Sequence, residues 1–252
     1  MKIRLFGALI ALIALAASTA HADVETLVGE MIDAHGGYER WASAPSITFV
    51  DEWEDGRGFH TTVEQGSRRA YLEAEGGNVR VAWDGTTCTS VGWPEGGAPP
   101  RFLVLLNWYF VNLPWVVRDP GVALEEGTGR LLDDPTEYHT LHMTFEEGVG
   151  DTPDDWYELY IHPETKQLAG CRYTVTYRAL LPEGVESTPP HVLLFDGWTT
   201  VDGLLVPTHF TIREENGDPY SSAGFSGWSF REPFDESKLD LGPGAAADTS
   251  TP

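Results

Sequence analysis

His139 and His142, in the run "EYHTLHMTF", come nearest to a metal-ligand pair in this chain. Residues three apart on a strand face opposite sides, so both imidazoles reach one ion only across a bulge. A second candidate is the acidic loop "GVGDTPDDW", where Asp151, Asp154 and Asp155 offer the oxygen ligands that calcium prefers. A twelve-residue calcium loop counted from Asp151 needs Gly at its sixth position and Glu at its twelfth, and finds Trp156 and His162 instead. Acid/base hydrolysis would have to use His60, His139 or His209 with a neighbouring carboxylate. No nucleophile elbow, phosphate-cradling glycine loop, HExxH helix or C-x-x-C pair occurs. With 39 acidic residues, chance carboxylate pairs are expected. No catalytic residue, metal ligand or cofactor is therefore assigned, and the chain is expected not to be an enzyme.

The remaining feature is a segment of unusual composition, "PRFLVLLNWYFVNLPWVVRDP". Between Arg101 and Arg118 it has no charged residue, and Asn107 and Asn112 are its only strongly polar ones. As a helix it carries Phe102, Leu105, Leu106, Tyr109 and Leu113 on one stripe and Val104, Trp108, Val111 and Trp115 on another. A helix apolar all round is either buried throughout or faces an apolar partner that is not protein. It is too short to span a bilayer, and Pro114 ends or kinks it. Two readings follow, a core helix or one that lines and lids a hydrophobic cavity. The residues assigned to such a cavity are Phe102, Leu105, Leu106, Trp108, Tyr109, Phe110, Leu113 and Trp115.

The elements around this segment follow from hydrophobic period. In "DVETLVGEMIDAHGG", Val24, Leu27, Val28, Met31 and Ile32 form one helical stripe, which Gly36-Gly37 terminates. The period then falls to two. "SITFVDEW", "FHTTVEQ", "RRAYLEAE" and "NVRVAW" read as strands, with a hairpin at Asp84-Gly85. Beyond the apolar segment come "GVALEEG", "EYHTLHMTF", "DWYELYIH" and "KQLAGCRYTVTY". A long hairpin turning at Asp202-Gly203 follows, then "SSAGFSGWSF". Leu204, Val206, Phe210 and Ile212 share one face of the hairpin's second strand, and Pro207 within it implies an edge or a bulge. The fold class is mainly β with α. One curved antiparallel sheet has an apolar face covered by the N-terminal helix and by the inserted apolar helix.

Residues 1–22 read as an export signal, with Lys2 and Arg4, an apolar stretch from Leu5 to Ala17, and an Ala20-His21-Ala22 cleavage site. Residues 23–241 then form the domain, and the Gly-, Ala- and Pro-rich stretch 242–252 is expected to be a disordered tail. The formal net charge is −23, which disfavours nucleic acid and anionic surfaces as partners. No transmembrane segment is expected after signal cleavage. Export to an oxidising compartment permits a Cys88–Cys171 disulfide, and two separate buried thiols are the alternative.

"IDAHGGYERWAS", "VAWDGTT", "YFVNLPWVVRDPGVALEEG", "YHTLHMTFEEGVGDTPDDWYELYIHPETKQLAGCRYTV" and "DGWTTVDGLLVPTHFTI", in this order and spacing, resemble the LolA-like periplasmic lipoprotein-carrier superfamily, in particular its larger members. The resemblance implies an unclosed β-barrel, a half-pipe with helices in its mouth, located in the bacterial periplasm. It implies a carrier or binding protein that shelters a lipid, acyl chain or other hydrophobic molecule between sheet and helices. Lipidated or envelope proteins are the implied partners. The alternative is a non-catalytic envelope interaction module whose cavity is filled.

Overall fold

The computed structural model describes residues 24–250, so the expected export signal at 1–22 lies outside the described residues. The first helix, α1 (24–34), buries Leu27, Val28, Met31 and Ile32, the stripe that the 3.6-residue period demands. It ends at Gly36 (φ 101°) and Gly37 (φ 94°). A Cβ at Gly36 would collide with the Gly203 carbonyl, so glycine is required there both for its dihedral angle and for close approach. A short α2 (Tyr38–Ala42) follows and buries Trp41.

All thirteen strands belong to one sheet. In chain order they are β1 (Ser46–Trp53), β2 (Gly58–Glu64), β3 (Ala70–Ala74), β4 (Arg80–Trp83), β5 (Cys88–Val91), β6 (Val122–Gly129) and β7 (Tyr138–Phe145). They continue with β8 (Tyr157–Ile161), β9 (Leu168–Tyr173), β10 (His191–Val201), β11 (Leu204–Glu214), β12 (Pro219–Ser229) and β13 (Ala246–Ala247). Their spatial order is β13-β5-β4-β3-β2-β1-β12-β11-β10-β9-β8-β7-β6, with each pairing antiparallel. β6 at one end does not meet β13 at the other, so the sheet is an unclosed half-pipe rather than a barrel. The fold class read from the sequence is the one observed.

This order dictates where the apolar segment must run. β5 lies beside one end of the sheet and β6 forms the other, so the chain between them has to cross the whole sheet. It does so as α3 (Pro100–Val111) and α4 (Leu113–Val116). The inward faces of the strands, including Ile47, Phe49, Val63, Leu72, Val81, Leu141, Met143, Leu159 and Phe210, make one continuous core with α1 and this crossover. A crossover buried against a sheet can expose few polar groups without cost, which explains its composition.

The helix breaks at Asn112, before Pro114, as the sequence predicts. Pro114 offers no N–H to continue the ladder. The buried Asn112 side chain adds a second donor at the Trp108 carbonyl, from Nδ2 at 2.7 Å, beside the Asn112 N–H at 3.1 Å.

Pro207 occupies a bulge in a central strand, not an edge. Around it Thr208 of β11 and Asp196 of β10 have no pairing partner, which leaves the register equal on either side. The His209 Nδ1 and an Asp196 carboxylate oxygen meet at this bulge on the solvent side.

Of the two readings left open for the cysteines the structure has the separate buried thiols, and the expectation for the tail is corrected. Cys88 and Cys171 are free and buried. β5 and β9 carry them with seven strands in between, so the half-pipe keeps the thiols apart. The tail expected to be disordered from 242 is ordered through residue 250. Ala246 and Ala247 pair with Ser90 and Thr89, and the Asp248 N–H donates to the Cys88 carbonyl at 2.8 Å. An open edge at β5 offers unpaired backbone groups that even alanines can satisfy, and composition alone does not register this.

Candidate functional site

The crossover helix divides the half-pipe unequally. One side of α3 packs on β2–β5. Its other side, facing β6–β8, borders an open cavity of about 620 Å³. Volumes of this order accommodate small ligands.

The two stripes of the helix take different roles. Phe102, Leu105, Leu106 and Tyr109 line the cavity together with Phe110. Val104, Trp108, Val111 and Trp115 are core residues, each no more than 3% exposed, and Leu113 joins them. Five of the eight residues assigned to a cavity from sequence are thus brought together at one. Trp108, Leu113 and Trp115 are not; they pack beneath it, with Trp115 stacked on Trp41 at 5.9 Å between ring centroids. Sequence periodicity separates the stripes but gives no sign of which one faces the void.

The opposite wall comes from Val122 of β6, Phe145 of β7 and Tyr157 of β8, with Tyr38 and Trp41 of α2 closing one end. Tyr109 and Tyr157 touch each other in the cavity wall at 5.5 Å between centroids, and Phe102 meets Tyr177 edge-on at 5.2 Å. Burial pushes both the Tyr109 and Tyr157 hydroxyls far above the usual phenol range, so both remain neutral donors.

Two ion pairs border the cavity. Arg68, from the β2–β3 turn, meets Asp119 at 3.0 Å. Its guanidinium lies 4.1 Å from the centroid of Trp108 and 5.2 Å from that of Trp41. Burial raises the Asp119 carboxyl and lowers the Arg68 guanidinium, and their mutual attraction opposes both shifts. Arg101, in the first turn of α3, meets Asp151 at 2.9 Å and covers the Trp83 ring at 3.8 Å. A third acid, Asp155, accepts from Thr152 Oγ1 at 2.7 Å and from the Thr176 N–H at 2.6 Å. The acidic loop, whose spacing does not fit a twelve-residue calcium loop, contributes Asp151 and Asp155 to the polar rim of the cavity. Among the described residues no group of three or more His, Cys, Asp or Glu is placed to hold a metal. His139 is half-buried and His142 exposed on β7.

Sequence reasoning missed two buried polar residues near this site. Asp51 lies on β1 beneath α3, only 1% exposed. Burial raises its carboxyl to about 6, opposed by hydrogen bonds with Asn107, Trp53 and Thr61. Its Oδ2 and the Asn107 Oδ1 both lack a hydrogen-bond partner. The period-two face of Ile47 and Phe49 already includes Asp51, so the signal was present in the alternation. His35, at the end of α1, is fully buried; its Nδ1 donates to the Leu205 carbonyl at 3.2 Å and its Nε2 accepts from the Leu168 N–H at 3.0 Å. No local pattern marks that role, because both partners are distant in sequence.

No protein-family model matches the chain, and no curated protein matches it in sequence. Solved structures do resemble it. A DUF1329 family protein from Desulfovibrio piger superposes with a TM-score of 0.52 at 10% identity, covering 86% of this chain and 97% of that one. The LolA superfamily protein NE2245 from Nitrosomonas europaea gives a TM-score of 0.47 at 9% identity, covering 79% and 94%. At 10% identity the likeness to the DUF1329 family protein concerns the fold alone. The unclosed half-pipe expected from the sequence is the architecture present here. No helix among the described residues is long and apolar enough to cross a membrane.

Proposed function

We propose that this protein is an exported, periplasmic binding or carrier protein that shelters an acyl chain or similar hydrophobic molecule between α3 and strands β6–β8. The observation that carries the reading is the asymmetric placement of the crossover helix. One apolar stripe is committed to the core, while the other faces a 620 Å³ cavity with aromatic and aliphatic walls. Apolar side chains facing an open void gain little unless something apolar fills it. Each methylene sheltered there contributes about 0.8 kcal/mol, so a chain of roughly a dozen carbons outweighs the usual costs of ordering a ligand. The reading is of binding rather than catalysis. The charged groups at the cavity engage each other, Arg68 with Asp119 and Arg101 with Asp151, while Asp155 is held by threonine donors. Lipidated or other envelope proteins are the implied donors and acceptors of the cargo.

Native mass spectrometry of the protein recovered through its export route tests this reading. Reproducible extra mass that organic extraction removes is expected, and the extract identifies the cargo class. A protein free of added mass, and unable to take up an acyl probe such as lysophosphatidylcholine, would favour the filled interaction module instead.

A further inference from the structure

The rim of the cavity restricts the head group of whatever chain enters it. Four charged side chains that line it are organised as two neutral pairs, Arg68–Asp119 and Arg101–Asp151. The third acid, Asp155, also lines it and has no cationic partner. The lining therefore carries two cations against three acids, within a protein whose formal net charge is −23. We infer that the cavity takes a single-chain amphiphile whose head carries no net negative charge, zwitterionic or neutral, and discriminates against anionic ones.

The argument is one of displacement and rests on the carrier reading above. Among the described residues that line the cavity, an anionic head would find no unpaired cation; Arg118, stacked over the Tyr38 ring, is outside that lining. To engage Arg68 it would have to expel Asp119, leaving that carboxylate half-buried and unpaired, and breaking such a pair from one side is costly. The same holds for Arg101, which Trp83 also fixes in place. A zwitterionic head, by contrast, can interleave with a pair, its ammonium towards the aspartate and its phosphate towards the arginine. A neutral head leaves both pairs intact. The surrounding acidity acts in the same direction at longer range and weakens as salt is added.

The test compares binding of lysophosphatidylcholine, monoacylglycerol and lysophosphatidylglycerol with identical acyl chains, below their micellar concentrations, followed by tryptophan fluorescence. One like-charge contact of ordinary size corresponds to roughly a tenfold weaker affinity for the anionic lipid. The Asp119→Asn and Asp151→Asn variants each free an arginine, and the gap should narrow in both. High salt should narrow it in the unaltered protein, which gives a readout independent of any variant's folding. Equal or tighter binding of the anionic lipid would overturn this inference and leave the carrier reading standing. A gap insensitive to both variants and to salt would remove the ion pairs as its cause and overturn it likewise. Failure of all three lipids to bind would overturn the carrier reading, and this inference with it.

Discussion

The indole N–H of Trp41 donates to the side-chain oxygen of Asn112 at 2.7 Å, a buried bond across 71 residues. It joins α2 to the joint between α3 and α4, while the amide nitrogen of the same Asn112 adds a second donor to the Trp108 carbonyl at the end of α3. One side chain thus anchors the crossover both to itself and to the N-terminal cap of the half-pipe. Asn112→Ala should leave the buried Trp41 indole N–H unsatisfied, remove one of two donors to the Trp108 carbonyl, and open a small void besides. A loss of about 2–4 kcal/mol is expected. Denaturant unfolding should show it as a lower midpoint with little change in slope.

The two stripes of α3 should respond differently to charge. Leu105→Asp places a carboxylate at the cavity, where the side chain is only half-buried, so the protein should remain folded and lose acyl-probe binding. Trp108→Asp places one in the core, 3% exposed and beneath Arg68, and should cost more than about 4 kcal/mol and yield little folded protein. Circular dichroism alongside probe fluorescence distinguishes them. Loss of fold in the Leu105 variant would mean that its stripe is core as well.

Asp51 should make stability depend on pH. Its folded carboxyl sits at about 6 against an ordinary 3.8, so the folded state holds the proton more tightly. Its contribution is present in full below about pH 4 and is lost as pH rises through about 6. Asp51→Asn, permanently neutral, should exceed the parent by about 2–3 kcal/mol above pH 7 and converge with it near pH 4. Thermal melts across that range check the sign.

His35 acts in the opposite direction. Burial lowers its imidazole from 6.5 to about 4, and the neutral ring uses both nitrogens. Its contribution is complete above pH 6.5 and is lost as pH falls through about 4. Between pH 4 and 6 the two slopes oppose each other. The parent's stability curve should therefore be flatter there than that of Asp51→Asn, which keeps only the histidine's dependence. His35→Gln should be less stable at pH 7 and should show the aspartate's slope alone.

The C-terminal stretch should steady the entrance of α3. Asp248 Oδ2 accepts the Arg101 N–H at 2.8 Å, in the helix's first turn, and Ser250 Oγ lies 3.0 Å from the Tyr177 hydroxyl. Asp248→Ala should cost about 1 kcal/mol, the ordinary worth of a helix cap. Amide exchange should quicken over residues 100–104 and remain unchanged in the centre of the sheet.

Much of this architecture was legible in the sequence. The period-three-to-four stripe of α1, the period-two strands, the Asp202-Gly203 turn and the break before Pro114 are all local consequences of side-chain spacing and backbone chemistry. The two stripes of α3 could likewise be separated by period alone. Which of them faces a void could not, because that depends on β6–β8 closing over one side of the helix only, a matter of strand order. Strand order also keeps Cys88 from Cys171 and lets two alanines of the tail complete an edge. Asp51, His35 and Asn112 draw their roles from partners on distant segments. Local periodicity records which face a residue takes; only the folded sheet brings together the groups that surround it, because long-range pairing sets burial, and burial sets the cost of every polar atom.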